Sequence, residues 1–119
     1  MHDDDTIRIA PSTLLTIVSR ASLQVEGVAR MGVIPVDVGR IFSGHPVGSG
    51  VALEILEDKK IKAELYLVVR PDINMIEVGR AVQQSVIRAV NELVGMDVIS
   101  INIHIEDVAY PLTELTTPA

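Results

Sequence analysis

Two periods of apolar and polar residues run along the chain, and they predict its helices and strands. Between Leu14 and Val25 the apolar residues recur at the 3.6-residue spacing of a helix with one buried face. Pro11 and Ser12 precede this stretch and are typical of a first helical turn, while Gly27 follows it as a stop signal. The pattern therefore predicts a first helix between Pro11 and about Val25.

A second helix is predicted within RPDINMIEVGRAVQQSVIRAVNELVGM, residues 70–96. Asn74 and Glu77 have the spacing of an N-terminal capping pair, and Gly95 ends the helix. The predicted apolar stripe consists of Met75, Val78, Val82, Val86, Ala89 and Leu93, and the polar face of Glu77, Arg80, Gln84, Arg88 and Asn91. Valine and isoleucine are weak helix formers, so this helix must be held by packing on a sheet. Gln83 lies beside the stripe, which suggests a role in packing or at a partner edge.

Strict alternation predicts strands elsewhere. Thr6–Ile9 is a short candidate, and residues 51–57 and 61–70 read as a hairpin with a polar turn around Asp58 and Lys59. The last strand follows Gly95: the isoleucines at 99, 101, 103 and 105 are predicted on one side, and Ser100, Asn102, His104 and Glu106 on the other.

The predicted fold is a single α+β domain over residues 1–119, a two-layer sandwich. A mainly antiparallel sheet of three to four strands carries both helices on one face, in the order β-α-β-β-α-β. This order permits a ferredoxin-like sandwich. Residues 1–5 are expected to form an acidic N-terminal tail, and residues 107–119 a C-terminal tail.

Residues 31–50, MGVIPVDVGRIFSGHPVGSG, form a Gly/Pro-rich loop that is unusually apolar. One short element is predicted around Val36–Phe42. A loop of this length and apolarity either folds back on the core or contacts another subunit or protein.

Composition removes several classes of function. The formal net charge is −6 with no basic block, which argues against nucleic acid and against direct binding to anionic membranes. The chain has no cysteine, so thiolate and disulfide chemistry are absent. The polar start, MHDDDTIRI, is no signal peptide, and no run approaches the length of a membrane span, so a cytoplasmic protein is expected.

No catalytic, cofactor or metal residues are predicted. SGHPVGSG leads into a strand rather than a helix, unlike a phosphate-binding loop. His104 is predicted on the open sheet face, where Tyr66, Glu54 or Glu64 could lie near it; such a trio allows acid–base chemistry but also arises by chance.

What remains is association, and homo-oligomerisation is expected. The candidate interaction surface combines the open sheet face with the apolar loop. It consists of Tyr66, Val68, Arg70, Asn102, His104, Ile34, Val36, Ile41 and Phe42.

Several short motifs carry a family resemblance over about residues 7–108. They are Glu26-Gly27-Val28 after the first helix, Glu77-Val78 with Val82-Gln83 in the second, Gly95-Met96 before the last strand, and Ile101-Asn102-Ile103 within it. Together they resemble the alkaline shock protein family, the envelope stress response family of bacteria. Ile76 stands where the family commonly has proline, and Arg70-Pro71-Asp72 replaces its usual turn.

The resemblance implies a non-enzymatic, cytoplasmic protein of envelope homeostasis, placed near the membrane by membrane-anchored partners or tied to regulation of fatty-acid synthesis. No cofactor is expected. The alternative is a small-molecule-binding or regulatory domain that uses the sheet face around Tyr66 and His104.

Overall fold

The computed structural model describes residues 6–110, which form one sheet and three helices. In chain order the elements are α1 (Pro11–Leu23), β1 (Val28–Met31), α2 (Val36–Ile41), β2 (Val47–Gly48), β3 (Val51–Leu56), β4 (Lys60–Val69), α3 (Met75–Val94) and β5 (Asp97–Val108). The terminal segments 1–5 and 111–119, including both predicted tails apart from residues 107–110, lie outside the described residues.

Strand β4 is the centre of the sheet. Along one edge it pairs with β5 over its whole length, and this pairing is parallel. Along the other edge it pairs antiparallel with two strands placed end to end: β3 opposite residues 60–65, and β1 opposite residues 67–69. The two-residue strand β2 pairs antiparallel with β3. Because both of its edges are used, β4 holds every longer strand in place.

Two glycines make the end-to-end arrangement of β1 and β3 possible. The Gly32 N–H donates to the Tyr66 carbonyl (2.6 Å), and the Tyr66 N–H donates to the Gly50 carbonyl (2.8 Å). Gly50 has φ +73°, and a Cβ there would lie 2.9 Å from the carbonyl oxygens of both Gly32 and Tyr66. Only glycine fits a left-handed position with backbone this close.

The hydrophobic core lies between the sheet and the two long helices. Strand β4 contributes the odd-numbered residues from 61 to 69, β3 contributes Val51 and Leu53, α1 contributes Leu14, Val18 and Ala21, and α3 contributes Val78, Val82, Val86 and Val90. The spacing of four along α3 aims one row of valines at the sheet, and Asn74 caps the helix by accepting from the Glu77 N–H (3.0 Å). Gly95 ends α3 in the left-handed conformation.

The predicted class is confirmed: an α+β sandwich, a mainly antiparallel sheet, and both long helices on one face. The hairpin of β3 and β4, the Asn74 cap and the short element at Val36 are also as predicted.

The predicted element order is wrong. Thr6–Ile9 is not a strand: Ile7 and Ile9 are exposed, and the place beside β4 is taken by β1, which was not predicted. The sheet has five strands rather than three to four, the order is α-β-α-β-β-β-α-β, and the ferredoxin-like order does not apply. Residues 107 and 108, placed in the C-terminal tail by the sequence, belong to β5.

Two apolar side chains face the other way from their prediction. The β4–β5 register shifts between Val98 and Ser100, so Ile99 is the extra residue of a bulge and is half exposed, while Val98 takes the inward position. Leu93 lies off the row of valines on α3 and is largely exposed.

A substitution at the strand junction tests this topology. Gly50→Ala should destabilise the domain by more than about 2 kcal/mol, because it adds a steric clash to a left-handed backbone. Gly39→Ala is the matched control: a Cβ there meets nothing within 4 Å, so it should cost little or stabilise α2. Urea unfolding of both variants measures the difference, and equal losses would contradict the junction.

The face that α3 presents to the sheet can be tested with Val86→Asp. Val86 is fully buried, so the substitution places an unpaired charge in the core and should cost several kcal/mol, roughly the stability of the whole domain. Arg88→Ala, two residues along on the exposed face, should cost less than about 0.5 kcal/mol. Thermal unfolding monitored by circular dichroism separates the two, and similar melting temperatures would show that the face is wrong.

Candidate interaction site

The sheet face opposite the helices carries a polar cluster, here called the sheet-face cluster: Glu64, Tyr66, Asn102, His104 and Glu106. The parallel register sets Glu64 beside Asn102 and Tyr66 beside His104. The rings of Tyr66 and His104 stack with centroids 4.3 Å apart and planes within 7°. The predicted neighbourhood of His104, Tyr66 and Glu64 is therefore present.

Glu64 braces β4 to β5. One carboxylate oxygen lies 2.7 Å from His104 Nε2, and the other accepts from the Asn102 side-chain amide at 2.5 Å. Since a carboxylate only accepts, Nε2 carries the hydrogen of the first contact. Both oxygens of Glu64 and one face of the imidazole are thus engaged within the sheet, an arrangement that favours cross-strand pairing over acid–base chemistry.

Tyr66 is nearly covered although it lies outside the helix-facing core. Its exposed fraction is 7%, and burial, together with the charges of Glu64 and Glu106, raises the pKa of its phenol. Glu106 is the extra residue of a second β5 bulge, and its carboxylate accepts from the Val33 N–H (2.9 Å) beyond the far edge of β4. That carboxylate also occupies the space that a Cβ on Gly32 would need. The contact fastens the start of the 31–50 loop to the sheet.

The loop exposes a group of apolar side chains, here called the apolar loop surface: Val33, Val36 and Ile41, with exposed fractions of 76%, 71% and 78%. Ile34, Val38 and Phe42 alternate with them and are half buried. None of the six residues of α2 is buried, and its N-cap residue, Pro35, gives no side-chain hydrogen bond. The loop therefore folds back in part and leaves its other side apolar and open.

A second feature is a groove of about 450 Å³ between the N-terminal half of α3 and the outer edge of β5. Met75 and Ile76 line it from the helix, and Ile101, Ile103 and Ile105 from the strand. At one side, the Gln83 side-chain amide donates to the Ile101 carbonyl (3.2 Å). This contact accounts for the position of Gln83 beside the apolar stripe.

The structure separates the predicted interaction residues into three groups. Val36 and Ile41 belong to the apolar loop surface, with Ile34 and Phe42 half buried behind it. Arg70 and Asn102 are exposed and His104 is partly exposed, whereas Tyr66 and Val68 are buried and offer little area to a partner. The combined surface stays a prediction.

Sequence reasoning missed three features of the candidate interaction site. Val33 was counted only as part of an apolar loop, although it is among the most exposed apolar residues. The reach of Glu106 depends on a bulge, and the groove depends on which strand lies at the edge. No local sequence pattern predicts the bulge or the position of β5 at the edge of the sheet.

Within residues 6–110, no three His, Asp or Glu side chains lie close enough together to hold a metal ion. In the same part of the chain, no helix is long and apolar enough to cross a membrane.

These features define the class of protein: an α+β domain with a braced sheet and an exposed apolar loop. The chain belongs to the alkaline shock protein 23 family, which is described as having a cell envelope-related function and which matches residues 1–110.

Its relatives include two uncharacterised proteins. Spy1535 of Streptococcus pyogenes is 28% identical over 102 residues, covering 86% of this chain and 78% of the relative. YqhY of Bacillus subtilis is 28% identical over 115 residues, covering 92% and 84%. Among solved structures, a variant of the MamM CTD has a TM-score of 0.52 at 18% identity, covering 81% of this chain and 93% of the other; this likeness concerns the fold alone.

The raised pKa of Tyr66 predicts a loss of stability in alkali. The folded domain holds the phenolic proton more tightly than the unfolded chain, whose tyrosine pKa is about 10. The stabilisation is complete below that pH and is lost as the pH rises through the higher folded value. The stability of wild type should therefore fall more steeply above about pH 10 than that of Tyr66→Phe.

Tyr110→Phe permits a direct measurement, because it leaves Tyr66 as the only tyrosine of the chain. Absorbance titration of this variant should give a pKa above that of a free tyrosine, and adding Glu64→Gln should lower it. An ordinary value would contradict the burial of the phenol.

Proposed function

We propose that this chain is a non-enzymatic interaction protein of the bacterial cell envelope, and that it binds a protein partner through the apolar loop surface. The observation that carries the proposal is α2, a helix that exposes Val36 and Ile41 and buries no residue. The family's cell envelope-related description supplies the setting.

Physical chemistry explains why α2 needs a partner. A helix of six residues without a side-chain cap is not stable by itself in water. Burying an aliphatic side chain such as Val36 or Ile41 contributes about 1.5–3 kcal/mol. A partner that covers both side chains gains this energy and fixes the helix as well.

The sheet-face cluster supports a structural rather than a catalytic role. Glu64 is occupied by Asn102 and His104, and His104 is stacked on Tyr66. A base for catalysis needs a free lone pair close to a bound substrate. The cluster instead uses its polar groups to join β4 to β5.

The partner is a membrane-anchored protein or a component of lipid synthesis, and the chain is a self-associating, cytoplasmic protein held at the membrane through that partner. The net charge of −6 supports recruitment by a protein, because anionic lipid repels an acidic surface. Charge repulsion does not oppose binding through the apolar loop surface.

The test is crosslinking in living cells that produce the tagged chain. Wild type should yield a discrete crosslinked protein in the membrane fraction. Val36→Asp combined with Ile41→Asp should reduce its yield about ten-fold or more, because charged side chains oppose desolvation at the contact.

Leu93→Asp is the matched control, since Leu93 is similarly exposed but lies on α3. It should leave the crosslink unchanged. Equal yields from all three proteins, or no product from wild type, would overturn the proposal. Sedimentation velocity of purified wild type tests self-association separately, and a monomer at all concentrations would remove that part.

A further inference from the structure

Strand β5 lies at the edge of the sheet, and within residues 6–110 its only paired strand is β4. The Ile101 carbonyl accepts from Gln83 on α3, so it points away from β4. Alternate residues of a strand direct their backbone groups to the same side, and the register is regular between the two bulges of β5. The N–H and C=O groups of Ile103 and Ile105 therefore also face the outer edge.

Side chains close both ends of this edge and leave its middle open. At one end Gln83 engages an outward carbonyl, and at the other the Val108 N–H donates to the Asp107 carboxylate (2.8 Å). Ile103 and Ile105 lie between these two contacts. Unpaired backbone groups on an edge strand attract another strand, so the open stretch is a place where one can pair.

We propose that a second copy of the chain pairs here, with the two β5 strands antiparallel about a two-fold axis at His104. The backbone groups of His104 face β4, so the two His104 residues lie opposite each other as a non-hydrogen-bonded pair. Ile103 of each copy then exchanges both backbone hydrogen bonds with Ile105 of the other, and the two sheets become one. An axis at Ile103 would instead need the Ile101 carbonyl, which Gln83 holds.

Helix α3 runs antiparallel to β5 along this edge. Gln83 donates to the Ile101 carbonyl (3.2 Å), and a Cβ on Gly79 would lie 3.9 Å from the Ile103 side chain. Four residues of α3 therefore advance past two residues of β5. Ile76, one turn nearer the start of α3, lines the same groove and is 66% exposed. This spacing sets Ile76 level with the next outward residue of β5.

The outer face of α3 is complementary to itself under this two-fold axis. Because Ile105 of one copy pairs with Ile103 of the other, Ile76 of one copy faces Gly79 of the other. Gly79 has no side chain, and the groove of about 450 Å³ leaves room beside it for an isoleucine. The same chain thus supplies the protruding apolar side chain and the space that it fills, as an interface between identical copies requires.

Charge does not oppose the pairing, although each chain carries a net charge of −6. The register sets Asn102 of one copy beside Glu106 of the other. Asn102 donates one amide hydrogen to Glu64, and one oxygen of Glu106 accepts from the Val33 N–H. An amide has a second hydrogen and a carboxylate a second oxygen, so the two side chains can bond between the copies.

Gly79→Gln tests the helix contact without loosening the single chain. A Cβ at this position makes an ordinary van der Waals contact within the chain, and glutamine is a better helix former than glycine. The dissociation constant of the dimer, measured by sedimentation velocity over a dilution series, should rise about ten-fold or more. Leu93→Gln is the matched control, since Leu93 is exposed on α3 outside the groove, and it should leave the constant unchanged.

Disulfide trapping locates the axis, because the chain has no cysteine of its own. Opposite residues of a non-hydrogen-bonded pair have Cα atoms about 4.5 Å apart, within reach of a disulfide. His104→Cys should therefore give a crosslinked dimer under mild oxidation. Asn102→Cys is the control on the same strand and face: its two copies would lie about 13 Å apart along the strands and should not crosslink. Equal crosslinking of the two variants, or of neither, overturns the proposal.

This interface rests on the self-association proposed above and is separate from the apolar loop surface. A wild type that is monomeric at all concentrations overturns both the interface and self-association. A dimer that Gly79→Gln does not weaken overturns the interface and keeps self-association. Loss of the crosslink in the membrane fraction, with the dimer intact, removes partner binding and leaves the interface standing.

Discussion

The structure depends on strand β4 having hydrogen-bonding partners along both edges. One edge is filled by β5, and the other by β3 and β1 in succession. Tyr66 stands at the point where these partners meet: its backbone bonds to Gly32 and Gly50, and its ring stacks on His104. Unpaired backbone groups are costly once buried, so the close approach of two glycines is the condition for keeping β4 covered. The helices then need only supply one apolar face each.

Elements with a strong local period were predictable from the sequence, and those decided by distant pairing were not. The valines of α3, the Asn74 cap and the alternation of β3 and β4 follow from spacing alone. Val28–Met31 has no clear alternation and becomes a strand because β4 offers it an edge, whereas Thr6–Ile9 alternates and finds none. Ile99 shows the same limit within a strand: one inserted residue reverses the side on which its neighbours lie.

In the candidate site, too, the features set by local pattern were predictable and those set by distant contacts were not. Sequence reasoning placed His104 near Tyr66 and Glu54 or Glu64 because alternation puts them on the open face of the sheet. It marked the 31–50 loop because a Gly/Pro-rich segment of this length is unusually apolar. It placed Tyr66 and Val68 on an accessible surface, but they are buried. The His104 ring stacks on Tyr66, and Glu106 reaches Val33 across the sheet. Such tertiary contacts have no signature in sequence spacing.

The domain pairs polar residues on its sheet face and leaves apolar residues exposed elsewhere. On the sheet face, Glu64 is paired with Asn102 and His104, and these contacts hold β4 and β5 together. Apolar area remains open on α2, none of whose residues belongs to the core. Substitutions there change contact area without removing a core side chain. The glycine junction and the row of valines on α3 therefore keep the fold of this chain when an exposed residue of α2 is substituted.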